Sequence, residues 1–184
     1  MRYLIFILLF YLFSCTHNMY YYDSSGKIVK HCTVPILYSI SYEVPFEYHS
    51  LIIDSFEHWN DFSGYNLFYY GGVSNYLPEN PLTNGVVIIG IDNFDGNSLA
   101  ITNLKYGKGC INVVKVNIDE KFLNRNDLEI LQTVVRHEAG HVLGLNHSNV
   151  FTDLMWKYVG NDRQHPVDVS DREIEILKKI YGWK

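Results

Sequence analysis

The residues best equipped for chemistry fall in one eleven-residue window, His137-Glu138-Ala139-Gly140-His141-Val142-Leu143-Gly144-Leu145-Asn146-His147. His137 and His141 stand four apart, so on a helix they share one face, one turn above the other. Each can offer a neutral imidazole nitrogen at about 2.0–2.1 Å, the distance zinc requires. Gly144 takes a positive φ without steric penalty and so lets the chain leave the helix. That turn brings His147 round as a third ligand. Three protein ligands leave one tetrahedral position for water, which separates a catalytic from a structural zinc site. Glu138, beside the first ligand, is placed to take the water's proton. An amphipathic helix with two surface histidines also reads HExxH, but five fixed positions in so short a window are hard to reach by chance.

With those residues in view, the pattern resembles that of the metzincin metalloproteases, which add a downstream Met-turn. Met155, in Asp153-Leu154-Met155-Trp156, falls where such a turn would. Ser148 after the third His is similar to the matrixin branch, since astacins carry Glu there and reprolysins Asp. The tail from Asp171-Arg172-Glu173-Ile174 to Ile180-Tyr181-Gly182 resembles the final helix of matrixin catalytic domains. The chain departs from the family at Lys157, where matrixins usually have Pro, a change that falls on the pocket floor. The resemblance implies a zinc-dependent endopeptidase of α/β (α+β) content. Its metzincin-like fold would be a twisted mixed sheet with three helices and a zinc cleft between an upper and a small lower subdomain. It implies His137, His141 and His147 as ligands, Glu138 as general base, and Gly144 and Met155 as structural residues of the site. It also implies an extended polypeptide substrate, paired with a rim strand at about Ser98 to Thr102. The competing class is a module of the same fold that keeps zinc and does not cut; the intact Glu138 argues against it.

Those groups need elements to hold them. Asn126 can cap the zinc helix, with Glu129 answering three residues on, and the helical run is expected over Asp127 to Leu143. Ile130, Val134, His137 and His141 share a face, so this helix also packs on the core. Strands are expected at Ile36–Tyr42, Asn66–Tyr70, Gly85–Ile91 and Gly109–Ile118, with a loop carrying Gly71-Gly72, Pro78 and Pro81. Pro45 opens a helix on which Ile52, Phe56 and Trp59 recur, and Gly64 ends it. Ser170 and Glu173 form a second capping box, and Lys157 to Val169 is an irregular wall. His49, His58 and His165 read as packing or surface residues. Phe94-Asp95-Gly96-Asn97-Ser98-Leu99-Ala100 resembles a shortened matrixin loop for structural zinc and calcium. Ile101 stands where that loop places a His, so no second zinc is expected. Calcium at Asp92 or Asp95 stays open beside a plain turn, because EF-hand spacing is not met.

The chain of 184 residues, 47% hydrophobic, is long enough for one sizeable core, expected over 35–184. Arg2 and the apolar stretch Leu4 to Phe13 make residues 1–15 a targeting segment too short to span a bilayer. Leu12-Phe13-Ser14-Cys15 resembles a lipobox, and a lipidated Cys15 and a plain cleaved signal both stay open. Either way the chain is expected outside the cytoplasm, secreted or anchored at the cell envelope, with membrane contact only through a lipidated Cys15. A net charge of −5 without a basic run excludes nucleic acid as a partner. A monomer is expected. Residues 16–34 read as a short leader or propeptide. Some short bacterial matrixins, which the chain resembles, have a brief leader whose Asp reaches the zinc. Asp23 is the candidate for that latency role, and an ordinary surface turn at Asp23-Ser24-Ser25-Gly26 is the other reading. Cys32 and Cys110 leave three readings: a disulfide, two buried thiols, or, for Cys32-Thr33-Val34-Pro35, a likeness to the cysteine switch of matrixin prodomains.

Overall fold

Period-two alternation of apolar residues builds the sheet. The computed structural model describes residues 19–75, 86–125, 127–159 and 164–184; the expected targeting segment, Cys15 and Asn126 lie outside them. Five strands, β1 (Ile36–Ser41), β2 (Phe68–Ser74), β3 (Val86–Asp92), β4 (Ala100–Gly107) and β5 (Cys110–Asp119), form one sheet in the order β2-β1-β3-β5-β4. All neighbours pair in parallel except β4, which runs antiparallel to β5. The mixed sheet is therefore as expected, and β4 is an edge. Gly107 pairs with Cys110 across Lys108 (φ 56°) and Gly109 (φ 80°). Two successive positive φ values make the twisted two-residue turn that matches an antiparallel ladder.

Alternate strand residues, Ile36, Tyr38 and Ile40 with Val87, Ile89, Val114, Val116 and Ile118, are buried on the face that meets the helices. Helix α1 (His49–Ser63) follows a 3-10 turn at Phe46–Tyr48, ends at Gly64 with φ 71°, and sends Ile52, Phe56 and Trp59 into that core. Each such side chain contributes about 1.5–3 kcal/mol by leaving water. Tyr38 stacks on Phe56 with ring centres 4.4 Å apart. The indole N–H of Trp59 donates to the Arg136 carbonyl at 2.8 Å and so ties α1 to the next long helix, α3 (Leu128–Val142). Between them lies α2 (Glu120–Leu123), and α4 (Asp171–Tyr181) closes the chain. Among the described residues four helices thus stand where three were expected. The extra one is a single turn, capped by Asp119 accepting from the Lys121 N–H, too short to leave a period in the sequence.

Two expectations shift. Gly71 and Gly72 lie inside β2 rather than in a loop. A side chain at Gly71 would meet Leu37 Cδ1 at 2.9 Å, so glycine serves the close approach of two strands. The rim strand begins two residues later than expected and runs to Gly107.

Residues 19–34 do not stand off as a leader. Met19 and Val29 are buried in the core and His31 is 3% exposed. Tyr20 bridges Leu145, the Met19 carbonyl accepts from the Asn146 N–H at 2.7 Å, and Lys30 bridges Cys110. Cys32 is bonded to Cys110 with Cα atoms 5.3 Å apart. That bond selects among the three cysteine readings and excludes the cysteine-switch likeness, because the thiol is consumed. The segment is a strap across the chain where it leaves α3, and its isolated apolar residues were too sparse to announce burial.

Candidate metal centre

Helix α3 begins one residue later than the expected start, at Leu128. Asp127 accepts from the Ile130 N–H as the cap, and the register of the apolar face is unchanged. His137 and His141 lie on that buried face, each 7% exposed, while His147 stands exposed beyond the helix end. Gly144, with φ 93°, makes the exit. A Cβ there would sit 2.6 Å from the Val29 carbonyl oxygen, so both the backbone angle and the strap demand glycine.

The three histidines form the one cluster of three or more metal-competent groups found among the described residues, their ligand atoms within 4.8 Å of one another. His137 Nδ1 faces the Leu154 carbonyl at 2.9 Å and His141 Nδ1 the Leu145 carbonyl at 2.8 Å. A carbonyl only accepts, so each Nδ1 carries the proton and each Nε2 keeps its lone pair. The Nε2 atoms of His141 and His147 then face one another at 3.3 Å. With His147 Nε2 also unprotonated, two lone pairs at that distance would repel unless a cation lay between them. Two nitrogens each about 2.0–2.1 Å from one tetrahedral ion would stand about 3.3–3.4 Å apart. The donors present therefore fit zinc. Burial holds the His141 imidazole below its ordinary pKa, and burial with His141 and Lys157 nearby pushes His147 down to about 4. At neutral pH both are in the ligand form.

Met155 lies directly beneath. A Cβ at Gly140 would fall 2.3 Å from Met155 Sδ and 2.9 Å from Trp59, which explains a glycine inside the metal helix. The turn that carries Met155 is held from α4. Glu173 accepts from the Met155 N–H at 2.7 Å and from the Leu154 N–H at 3.3 Å, while closing the expected capping box with Ser170. Ser148 donates to Asp153, which also pairs with Arg172. The residue after the third histidine is thereby fixed to the same network.

Glu138 is 6% exposed, and burial pushes its carboxyl up to about 7 against the lowering effect of a hydrogen bond from Thr102. A proton acceptor with its pKa near 7 is what water activation at neutral pH requires. Glu138, His137 and His147 line a cleft of about 920 Å³ whose walls come from the start of β4, α2, α3 and residues Lys157 to Val159. Residues 160–163 of the expected wall lie outside the described residues.

Asp23 is not brought to the histidines. Its Oδ1 accepts from Ser25 N, Ser25 Oγ and Lys27 N, the surface-turn arrangement. Tyr21 occupies the nearby position instead, its phenol oxygen 3.3 Å from His141 Nδ1 as a weaker second acceptor. His49 Nε2 donates to the Val44 carbonyl at 2.9 Å, and His165 Nδ1 lies 3.0 Å from Thr133 Oγ1; both are packing residues. His58 faces Asp168 at 3.4 Å. Asp92 receives Asn93 N and Asn117 Nδ2, and neither it nor Asp95 joins the metal-competent cluster. Thr102, Tyr21 and Glu173 touch the site without having been singled out for it. Only Glu173 had a local signal, and that signal spoke of a helix cap.

A family model described as Matrixin matches residues 16–182. A curated relative, Metalloendoproteinase 2-MMP of Arabidopsis thaliana, is 33% identical over 70 residues, which are 38% of this chain and 18% of that protein. The match thus spans less than a fifth of the relative's length. A crystal structure of Archaemetzincin from Methanopyrus kandleri superposes with a TM-score of 0.54, covering 79% of this chain and 94% of that one. At 15% identity it shows a shared fold alone.

Proposed function

The chain belongs to the matrixin family, and on that premise we propose that it is a zinc-dependent endopeptidase. His137, His141 and His147 hold the ion and Glu138 is the general base. The observation that carries this reading is the histidine cluster with two Nδ1 atoms tied to carbonyls, which aims Nε2 lone pairs at one point. The ion, when bound, supplies Lewis acidity, polarising the carbonyl under attack and lowering the pKa of water toward about 7.

The rest of the chemistry belongs to the chain. The Thr102 hydroxyl is held on Glu138 Oε2, which leaves Oε1 to accept a proton from the attacking water and return it to the departing amine. The open edge of β4 offers main-chain groups to an extended peptide, which would add a strand. Phe122, Ile130 and Val134 give the cleft an apolar wall for one side chain. Buried Nδ1 contacts keep the imidazoles from turning as substrate enters.

Residues 35–184 with the strap at 19–34 make the catalytic body, acting as a monomer. Export is part of the proposal, to a secreted or envelope-anchored location. The apolar stretch Leu4 to Phe13 supports it, and so does the Cys32–Cys110 bond, since disulfides persist outside a reducing cytoplasm.

The test is a fluorogenic peptide library with the wild type, with chelator, and with Glu138→Ala. Wild type cleaves, chelator stops it, and the variant loses about 10²–10⁴-fold in rate while zinc content by mass spectrometry is unchanged. Zinc bound at full occupancy without cleavage of any peptide would identify the non-cutting module instead.

A further inference from the structure

The carboxylate proposed as general base ends a flexible side chain, and a buried helix face does not by itself fix where its oxygens point. One residue does. Thr102 Oγ1 lies 2.5 Å from Glu138 Oε2 and 3.4 Å from the Glu138 carbonyl oxygen. The Thr102 backbone N–H also acts on the carboxylate, and no other residue donates to it among the described residues. We infer that Thr102 is a positioning residue, holding Glu138 Oε2 so that Oε1 faces the cleft. The inference rests on the endopeptidase reading for its consequence and on geometry for its premise.

The placement follows from the strand. Along β4, Ala100, Thr102 and Leu104 are half-buried toward α3, while Ile101, Asn103 and Lys105 are exposed. Thr102 is therefore the inward residue opposite Glu138, on the strand whose edge is offered to substrate. A hydroxyl to a carboxylate is a charge-assisted bond, about twice as strong as a neutral one. It also takes one oxygen out of competition for the water. Alanine or valine at this position would leave the carboxylate only the backbone N–H of residue 102, and Glu138 would spend part of its time turned from the cleft. Because Thr102 sits on the edge strand, a peptide pairing there would press on the strand that aims the base.

Thr102→Val keeps the shape and removes the donor, and Thr102→Ser keeps the donor. The expected result is a fall in kcat of about ten- to hundred-fold for Thr102→Val, with KM, zinc content and melting temperature close to wild type. Thr102→Ser should restore kcat to within about threefold. Unchanged kcat in Thr102→Val overturns the inference. So does a loss that tracks melting temperature or zinc content, or one that serine fails to restore, since each marks a purely structural role. An independent readout is the infrared band of the Glu138 carboxyl, isolated as the wild-type minus Glu138→Gln difference. It should move in Thr102→Val and return in Thr102→Ser. Should wild type cleave no peptide, the endopeptidase reading fails while this band still decides the contact; a band unmoved by valine refutes it.

Discussion

Gly144→Ala should be among the most damaging single-methyl changes in the chain, and the structure gives its size. The residue has φ 93°, where an L side chain is strained, and the new Cβ would stand 2.6 Å from the Val29 carbonyl oxygen. The conformational part is about 1–2 kcal/mol. The steric part is typical overpacking, about 1–3 kcal/mol, and relief is hard because the obstacle is backbone whose N–H is itself bonded to Tyr21 at 2.9 Å. The sum is about 2–5 kcal/mol, and at about 2–4 °C per kcal/mol for a chain of this length it lowers Tm by roughly 4–20 °C. Gly64→Ala is the internal control. Gly64 has φ 71° with nothing within 4 Å of its Cβ position, so it pays the conformational part only, about 1–2 kcal/mol. The entropy that alanine removes from the unfolded chain is common to both variants and cancels in their difference. Thermal unfolding of the two variants beside wild type, in the same buffer with chelator, isolates the strap contact. Equal losses for Gly144→Ala and Gly64→Ala would refute the claim that the strap presses on the helix exit.

Two further outcomes are expected. A chain beginning at Val34 loses buried Met19 and Val29 together with the Cys32–Cys110 bond; it should melt well below the full chain and cleave less, whereas higher activity after trimming would return Asp23 to a latency role. Burial holds the His31 imidazole down to about 4, against about 6.5 in an unfolded chain, so the unfolded state takes up the proton first as pH falls. The stability contributed by neutral His31 is complete above pH about 6.5 and drains toward about 4, by up to about 3 kcal/mol. Urea midpoints at pH 7.5 and pH 5 should therefore fall further for wild type than for His31→Leu, and parallel slopes would exclude the assignment.

What was legible in the sequence was local. His137, His141 and Gly144 signal through spacing on one helix, and the Ser170–Glu173 box through spacing at its cap. The strands of the mixed sheet signal through alternation, although the glycines in β2 read as a loop because nothing nearby shows that Leu37 needs the space. The supports of the site were not legible. Thr102 is 36 residues from Glu138 and Tyr21 is 120 from His141, separations at which only the folded chain brings them together. The packing of the strap was not legible for the same reason, since Met19 and Val29 show no period of their own and gain burial only from elements far along the chain.

The closeness of the three ligands has a consequence for the order in which the protein matures. His137 to His147 span ten residues, a loop whose closure asks little more than one helix and one turn. The contact between Thr102 and Glu138 must close 36 residues, which on loop entropy alone costs about 1 kcal/mol more, and it needs the β4–β5 hairpin docked on α3. On the proposed reading, gathering the ligands and aiming the base are therefore separate steps. A chain with α3 and its exit turn formed but the hairpin undocked would hold an ion without an aimed base.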